Sequence, residues 1–233
     1  MNTSASVAAQ KRFRDRAARL KRALASEKRR YGAIDDSSGK RYRIGPLYAL
    51  AGNLKEALAH YKWFEKHCPD DVGEPMHWLW WALALHRFGD VKNANRKLLE
   101  TLVRNLYLLP ALIGSPIARQ DMWHSSNWDQ PEFLSQVSPE FVPQLSEDEC
   151  SWIGQQLESA LFRRVKDEYV AAHHALLTER NVERRSAILR RWRRFWSDAT
   201  LKQSRREERE GKVRRFTTAR DAVAHLKRYS KAT

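Results

Sequence analysis

Residues 41–69 read RYRIGPLYALAGNLKEALAHYKWFEKHCP and residues 78–98 read WLWWALALHRFGDVKNANRKL, and these two stretches decide the fold. Each contains a tight-turn signal, Gly52-Asn53 in the first and Gly89-Asp90 in the second, followed by an alanine and larger apolar residues. Gly89 follows Gly52 by 37 positions, so the two stretches are copies of one pattern. Because glycine tolerates the positive φ of a tight turn, the repetition predicts two helix–turn–helix pairs.

Four helices are predicted in this region from the apolar spacing and from the residues that interrupt it. The first covers 41–51 and the second covers 54–67, where Pro69 ends it. The third begins at Glu74-Pro75, since proline suits the first turn of a helix. The fourth covers 91–105, and a short apolar segment bent at its proline follows it.

The repeated residues also fit a known signature, W-x2-L-G-x2-Y followed by alanine, an aromatic residue and proline. The first copy supplies Ile44-Gly45, Tyr48, Ala57, Tyr61 and Pro69. The second supplies Trp78, Trp81-Ala82, Leu85, Ala94 and Leu98, but has Leu106 where the signature has proline. The chain therefore resembles the tetratricopeptide-repeat family over about residues 41–105. The resemblance implies a scaffold that binds a partner protein or peptide in a groove, with no cofactor.

Most aromatic side chains of the repeats are predicted to lie in the core. Trp78, Trp81, Tyr48 and Tyr61 recur on the faces that stacked helix pairs bury. Trp80 lies off this stripe and is predicted to be an exposed contact in the protein-binding groove.

The net charge of +15 is concentrated at the two ends of the chain. Residues 1–31 contain ten Lys/Arg and two Asp/Glu, and residues 180–233 contain eighteen and six. The centre is therefore slightly acidic. Basic arms of this kind indicate a polyanionic partner such as RNA or DNA, although a solvated helix surface is an equal alternative.

Arginines alternate with aromatic residues near the start of the C-terminal arm. The candidate polyanion-binding residues are Arg184, Arg185, Arg190, Arg191, Arg193 and Arg194. Trp192, Phe195 and Trp196 lie between or after them and could stack on unpaired bases. They also fall on one helical face with Ile188, so the favoured interpretation packs the aromatic rings on the preceding helix. The arginines are available to phosphate in either case.

No arrangement of residues indicates catalysis or metal binding. The eight histidines are scattered, and His67-Cys68 has no second pair of ligands at metal-site spacing. We therefore expect a protein that is not an enzyme and has no catalytic residues, no metal and no cofactor. Two cysteines and the absence of a secretory signal or a membrane span predict a cytoplasmic setting.

The sequence predicts an all-α protein, with a short tetratricopeptide-like core and a C-terminal extension of long helices. The segments are a basic helix and linker at 1–39, the repeat region at 40–114, a Pro- and aromatic-rich connection at 115–145 and basic helices at 146–233. The last segment is predicted to contain helices at 146–178 and from 182 to about 211, and a final one capped by Thr218 and Asp221.

Two functions are compatible with this organisation. The leading prediction is a non-enzymatic adaptor that binds a partner protein through the repeat groove. The alternative is a nucleic-acid-associated protein that contacts the RNA or DNA backbone with its basic N- and C-terminal helices. A subunit of a ribonucleoprotein complex would combine the two.

Overall fold

A computed structural model describes residues 6–32, 34, 36 and 38–209. These residues form α-helices and two short 3₁₀ turns without a strand, which confirms the all-α prediction. The helices are α1 (Val7–Tyr31), α2 (Lys40–Leu50), α3 (Leu54–His67), α4 (Pro75–Phe88), α5 (Val91–Arg104), α6 (Leu108–Leu112), α7 (Phe133–Gln136), α8 (Glu147–Glu158), α9 (Ala160–Thr178) and α10 (Val182–Arg209). The predicted final helix at Thr218 lies outside the described residues.

The chain divides into two compact units, and the boundary between Ala94 and Asn95 falls inside α5. The described part of the first unit contains α1–α4 and the start of α5. The second unit contains the rest of α5 and the helices through α10. The basic N-terminal helix α1 belongs to the same unit as α2, α3 and α4.

The first unit consists of packed helix pairs. α2 packs on both α3 and α4, and α3 packs on α4. The turn between α2 and α3 contains Gly52 at φ 73°, and Gly89 follows α4 at φ 88°, as the turn signals require. α1 packs along α2 and buries Phe13, Ala17 and Leu24, so the first repeat helix is covered.

A close approach of helices accounts for the small residues of the repeat. A Cβ atom added to Gly45 in α2 would lie 2.4 Å from Cζ of Tyr61 in α3. The Tyr61 ring is fully buried and stacks on Trp81 of α4, with ring centroids 5.0 Å apart. Trp78 stacks on Trp81 in turn at 5.2 Å. Tyr48 is also buried, so the prediction that these four aromatic residues form core is confirmed.

Two buried histidines satisfy backbone carbonyls of α2. Pro46 lies inside α2 and has no N–H, so it cannot donate to the carbonyl of Tyr42 four residues earlier. A ring N–H of His77 in α4 is directed at this carbonyl, with Nδ1 3.3 Å from the oxygen. His60 in α3 donates from Nε2 to the carbonyl of Arg41 at 2.8 Å. Both imidazoles therefore have a structural role in holding the helices together.

In the second unit, the connection at 115–145 has buried side chains and a hydrogen-bonded backbone. Met122 and Phe133 are buried in it. Its backbone is fixed by the amide of Asn105, whose Nδ2 donates to the carbonyls of Trp128 at 2.7 Å and Gln130 at 3.0 Å. Not all of its aromatic residues are excluded from water, because Trp128 is 40% exposed.

The prediction of a single helix at 146–178 is wrong, because the chain forms two helices there. Ser159 has an extended backbone with ψ 147° and separates α8 from α9. Its hydroxyl donates to the carbonyl of Gln156 and accepts from the amide of Phe162, so one side chain ends α8 and caps α9. A capping box begins α8: Ser146 and Glu149 each accept a hydrogen bond from the other's backbone amide.

Candidate nucleic-acid interface

Helix α10 has a packed side and an exposed side. The packed side carries Ile188, Leu189, Trp192, Phe195 and Trp196, which are half-buried. These residues recur every three or four positions, as the 3.6-residue period of a helix requires. The opposite side carries the exposed residues Arg184, Arg190, Arg191, Arg193 and Arg194.

The aromatic rings of α10 pack rather than extend into solvent. Trp192 contacts Tyr169 of α9 edge-to-face, with ring centroids 5.3 Å apart. It also stacks on Phe195 at 5.8 Å and lies 6.1 Å from Trp196. The favoured interpretation, in which these rings pack on the preceding helix, is confirmed. The rings hold α10 on α9 and leave its opposite side to the arginines.

Four exposed arginines within five positions, Arg190, Arg191, Arg193 and Arg194, form what we call the arginine quartet. None of their guanidinium groups hydrogen-bonds or forms an ion pair with the residues that the structure describes. Each guanidinium has five donors in a planar fork, which matches a phosphate in two-point contact. The quartet is therefore an exposed cationic surface whose donors suit phosphate, without a neutralising partner among the described residues.

The other two predicted arginines differ from the quartet. Arg184 is exposed, and its Nη1 lies 3.9 Å from the Glu179 carboxylate, which partly neutralises it. Arg185 lies on the packed side and donates from Nη1 to the carbonyls of Leu176 at 2.6 Å and Glu179 at 2.9 Å. These carbonyls belong to the C-terminal end of α9, so Arg185 caps that helix. The structure does not bring Arg185 into the anion-binding surface.

A further arginine, Arg164 of α9, extends the surface and has no signal in the sequence. It is exposed, and its Cζ atom lies 5.1 Å from the centroid of the Phe195 ring on α10. A cation over an aromatic face is stabilised by the ring quadrupole. The neighbouring Arg163 is paired with Glu158 instead. Arg164 therefore places a fifth cation next to the quartet, from a second helix.

Helix α1 carries a second cationic surface, in the first unit. Its apolar stripe faces α2, and the rest of the helix is exposed. Its exposed cations are Lys11, Arg12, Arg14, Arg19, Lys21, Arg22, Lys28, Arg29 and Arg30. Lys21 forms an ion pair with Glu56 at 3.8 Å, and the other cations of this group form none with the residues that the structure describes. Both basic arms identified in the sequence thus expose cations along a helix.

The prediction that Trp80 is an exposed groove contact is wrong. Trp80 is 1% exposed, and the Cζ atom of Arg87 lies 5.5 Å from its ring centroid. Every residue of α4 from Pro75 to Leu85 is buried, so the side off the repeat stripe is covered as well. A helix that is apolar all round is a core helix, and its side chains are not accessible to a partner.

Burial keeps two histidines of the described residues uncharged. Burial lowers the pKa of His60 to about 4 and also lowers the pKa of His173, whose Nδ1 donates to the carbonyl of Tyr169. Both imidazoles are therefore neutral at pH 7. Within the described part of the chain, no three His, Cys, Asp or Glu side chains are placed to hold a metal ion.

Comparisons of the chain with protein-family models, with curated proteins and with solved structures find no match. Among residues 6–209 as far as they are described, no helix has the length and apolar character needed to cross a membrane.

Proposed function

We propose that this chain is a non-enzymatic protein that binds the phosphate backbone of RNA or DNA through the arginine quartet of α10. The observation that supports it is the exposure of four arginines that have no partner among the described residues, on a helix whose aromatic side is packed. Arginine binds phosphate in bidentate geometry, and such contacts carry no sequence information. The expected binding is therefore tight at low salt and independent of base sequence.

Salt dependence is the first measurable consequence. Neutralising about four phosphates releases their counterions, so log K is expected to fall with log salt at a slope of about −3.6 for a DNA duplex. Contacts from Arg164 or from α1 would steepen this slope. Fluorescence anisotropy with a labelled duplex between about 50 and 200 mM salt measures it. An affinity that does not change over this range would contradict the proposed function.

Arg185 provides a prediction that separates structure from binding. Arg185→Gln removes a charged donor from two carbonyls and is expected to lower the free energy of unfolding by about 1–2 kcal/mol. Since this guanidinium lies outside the quartet, the affinity for nucleic acid should stay within about twofold of the unmodified chain. Urea unfolding and anisotropy measure the two quantities. A large loss of affinity without a loss of stability would place Arg185 in the interface.

A protein-binding adaptor built on two tetratricopeptide-like repeats is the second candidate. The packed helix pairs of the first unit and the contact of Gly45 with Tyr61 at repeat positions favour it. Repeats of this family resemble partner-binding scaffolds in most proteins that carry them. Affinity purification from native extract separates the candidates: a specific protein that remains after nuclease treatment supports the adaptor, and its absence counts against it.

A further inference from the structure

We infer that the arginine quartet takes double-helical rather than single-stranded nucleic acid, and that it contacts phosphates of both strands along one groove. This inference rests on the proposed function, because it names the substrate class of the same surface. Three features of α10 carry it: the linear density of the charges, their angular spread, and the position of the aromatic rings.

The charges of the quartet match the linear charge density of a duplex. Arg190 and Arg194 are separated by about 6 Å along the helix axis, since an α-helix rises about 1.5 Å per residue. Four cations in this length give about one charge per 1.5 Å. A DNA duplex carries about one phosphate per 1.7 Å of its axis, but a single strand carries about one per 3.4 Å. A duplex can neutralise the quartet along its length, whereas one strand supplies about half of the phosphates.

The charges also spread around the helix in a way that suits two phosphate rows. At about 100° per residue, Arg191 and Arg193 lie about 160° apart, with Arg190 and Arg194 between them. Arg191 and Arg193 are therefore on opposite flanks of the exposed side. A helix with its side chains is about 10–12 Å across, which is close to the ~12 Å width of the major groove of B-form DNA. The two flanks can reach the two backbones that border such a groove.

Among the described side chains, the exposed side of α10 carries no aromatic ring, the group on which the bases of single-stranded ligands stack. Proteins that bind single strands without sequence preference combine cations with aromatic rings on which the bases stack. The rings of α10 are on the packed side, where Trp192 contacts Tyr169. The exposed side has Glu183 and Asp198 beyond the ends of the quartet, and their carboxylates repel phosphates. The contact is therefore short, rich in arginine and without a stacking platform.

The test compares four labelled ligands of equal length with the full chain: duplex DNA, duplex RNA, single-stranded DNA of one repeated thymidine, and unstructured single-stranded RNA. At about 100 mM salt we expect at least one duplex to bind about tenfold or more tightly than either single strand. We also expect Arg191→Gln and Arg193→Gln each to weaken duplex binding by more than single-strand binding, because each removes one flank. Replacement of both by lysine, which keeps the charge and the fold, should retain the preference for duplex.

The possible results separate this inference from the proposed function. If a single strand binds as tightly as both duplexes, the inference is overturned while the proposed function stands. If Arg191→Gln and Arg193→Gln weaken duplex binding by no more than single-strand binding, contact with two strands is likewise overturned. If the chain binds no nucleic acid, or binds polyglutamate as tightly as a duplex, the proposed function itself fails.

Discussion

Replacing all four arginines of the quartet with glutamine is expected to weaken binding to a nucleic-acid duplex by about 100-fold at ~50 mM salt. Each arginine that contacts a phosphate contributes about one unit to the salt slope, so the slope should fall by about 3–4. The four side chains are exposed and have no partner among the described residues, so their loss costs little folding stability. The variant should therefore be folded and defective only in binding.

A matched control removes positive charge from another helix. Lys55, Lys62 and Lys66 are exposed on α3, in the first unit. Their replacement by glutamine changes the net charge almost as much, and is expected to change duplex affinity by about threefold or less, because none of the three lysines belongs to the quartet. Anisotropy over a salt series measures both variants, and circular dichroism checks their folding. A quartet variant that keeps the affinity and slope of the unmodified chain would rule out α10 as the binding surface.

Gly45→Ala is expected to lower the free energy of unfolding by about 2–3 kcal/mol, although alanine normally favours a helix over glycine. The new Cβ atom would lie 2.4 Å from Cζ and 2.5 Å from Cε1 of Tyr61, well inside van der Waals contact. The ring cannot retreat, because it is fully buried and stacks on Trp81. Either α2 and α3 move apart or the aromatic stack is displaced.

The matched control is a second helical glycine with free space beside it. A Cβ atom added to Gly154 in α8 has its nearest neighbour at 3.9 Å, the Cδ1 atom of Ile113. Gly154→Ala is therefore expected to raise the free energy of unfolding by about 0.5–1 kcal/mol. Urea unfolding of the two variants measures the difference. Changes of the same sign and size would show that the contact between Gly45 and Tyr61 does not limit packing.

Local chemistry explains why much of the fold could be predicted from the sequence. The bounds of α3 were predicted to the residue, because a glycine turn precedes it and a proline follows it. The break at Ser159 could not be predicted, because the apolar period continues through it and a serine is compatible with a helix interior. Only the structure shows that its hydroxyl bonds the backbone on both sides. Trp80 was misplaced because a helix wheel shows one buried stripe, whereas α4 is covered all round.

The position of the quartet on α10 was predicted for the same reason. Helical periodicity alone separates the arginines of the quartet from Trp192 and its neighbours, and the structure agrees with it. Arg185 could not be assigned, because its partners are the last carbonyls of α9, and their position depends on where that helix ends. Arg164 could not be found at all, since its proximity to Phe195 follows from the antiparallel packing of two helices.

Pro46 in α2 and His77 in α4 are expected to be coupled in evolution. His77 directs a ring N–H at the carbonyl that Pro46 leaves without a helical donor. A lineage that lost the imidazole while it kept the proline would leave a buried carbonyl without this donor. A lineage that replaced the proline first would restore the backbone N–H, and selection for a donor at position 77 would relax. The two residues are therefore expected to change in a fixed order, with position 46 ahead of position 77.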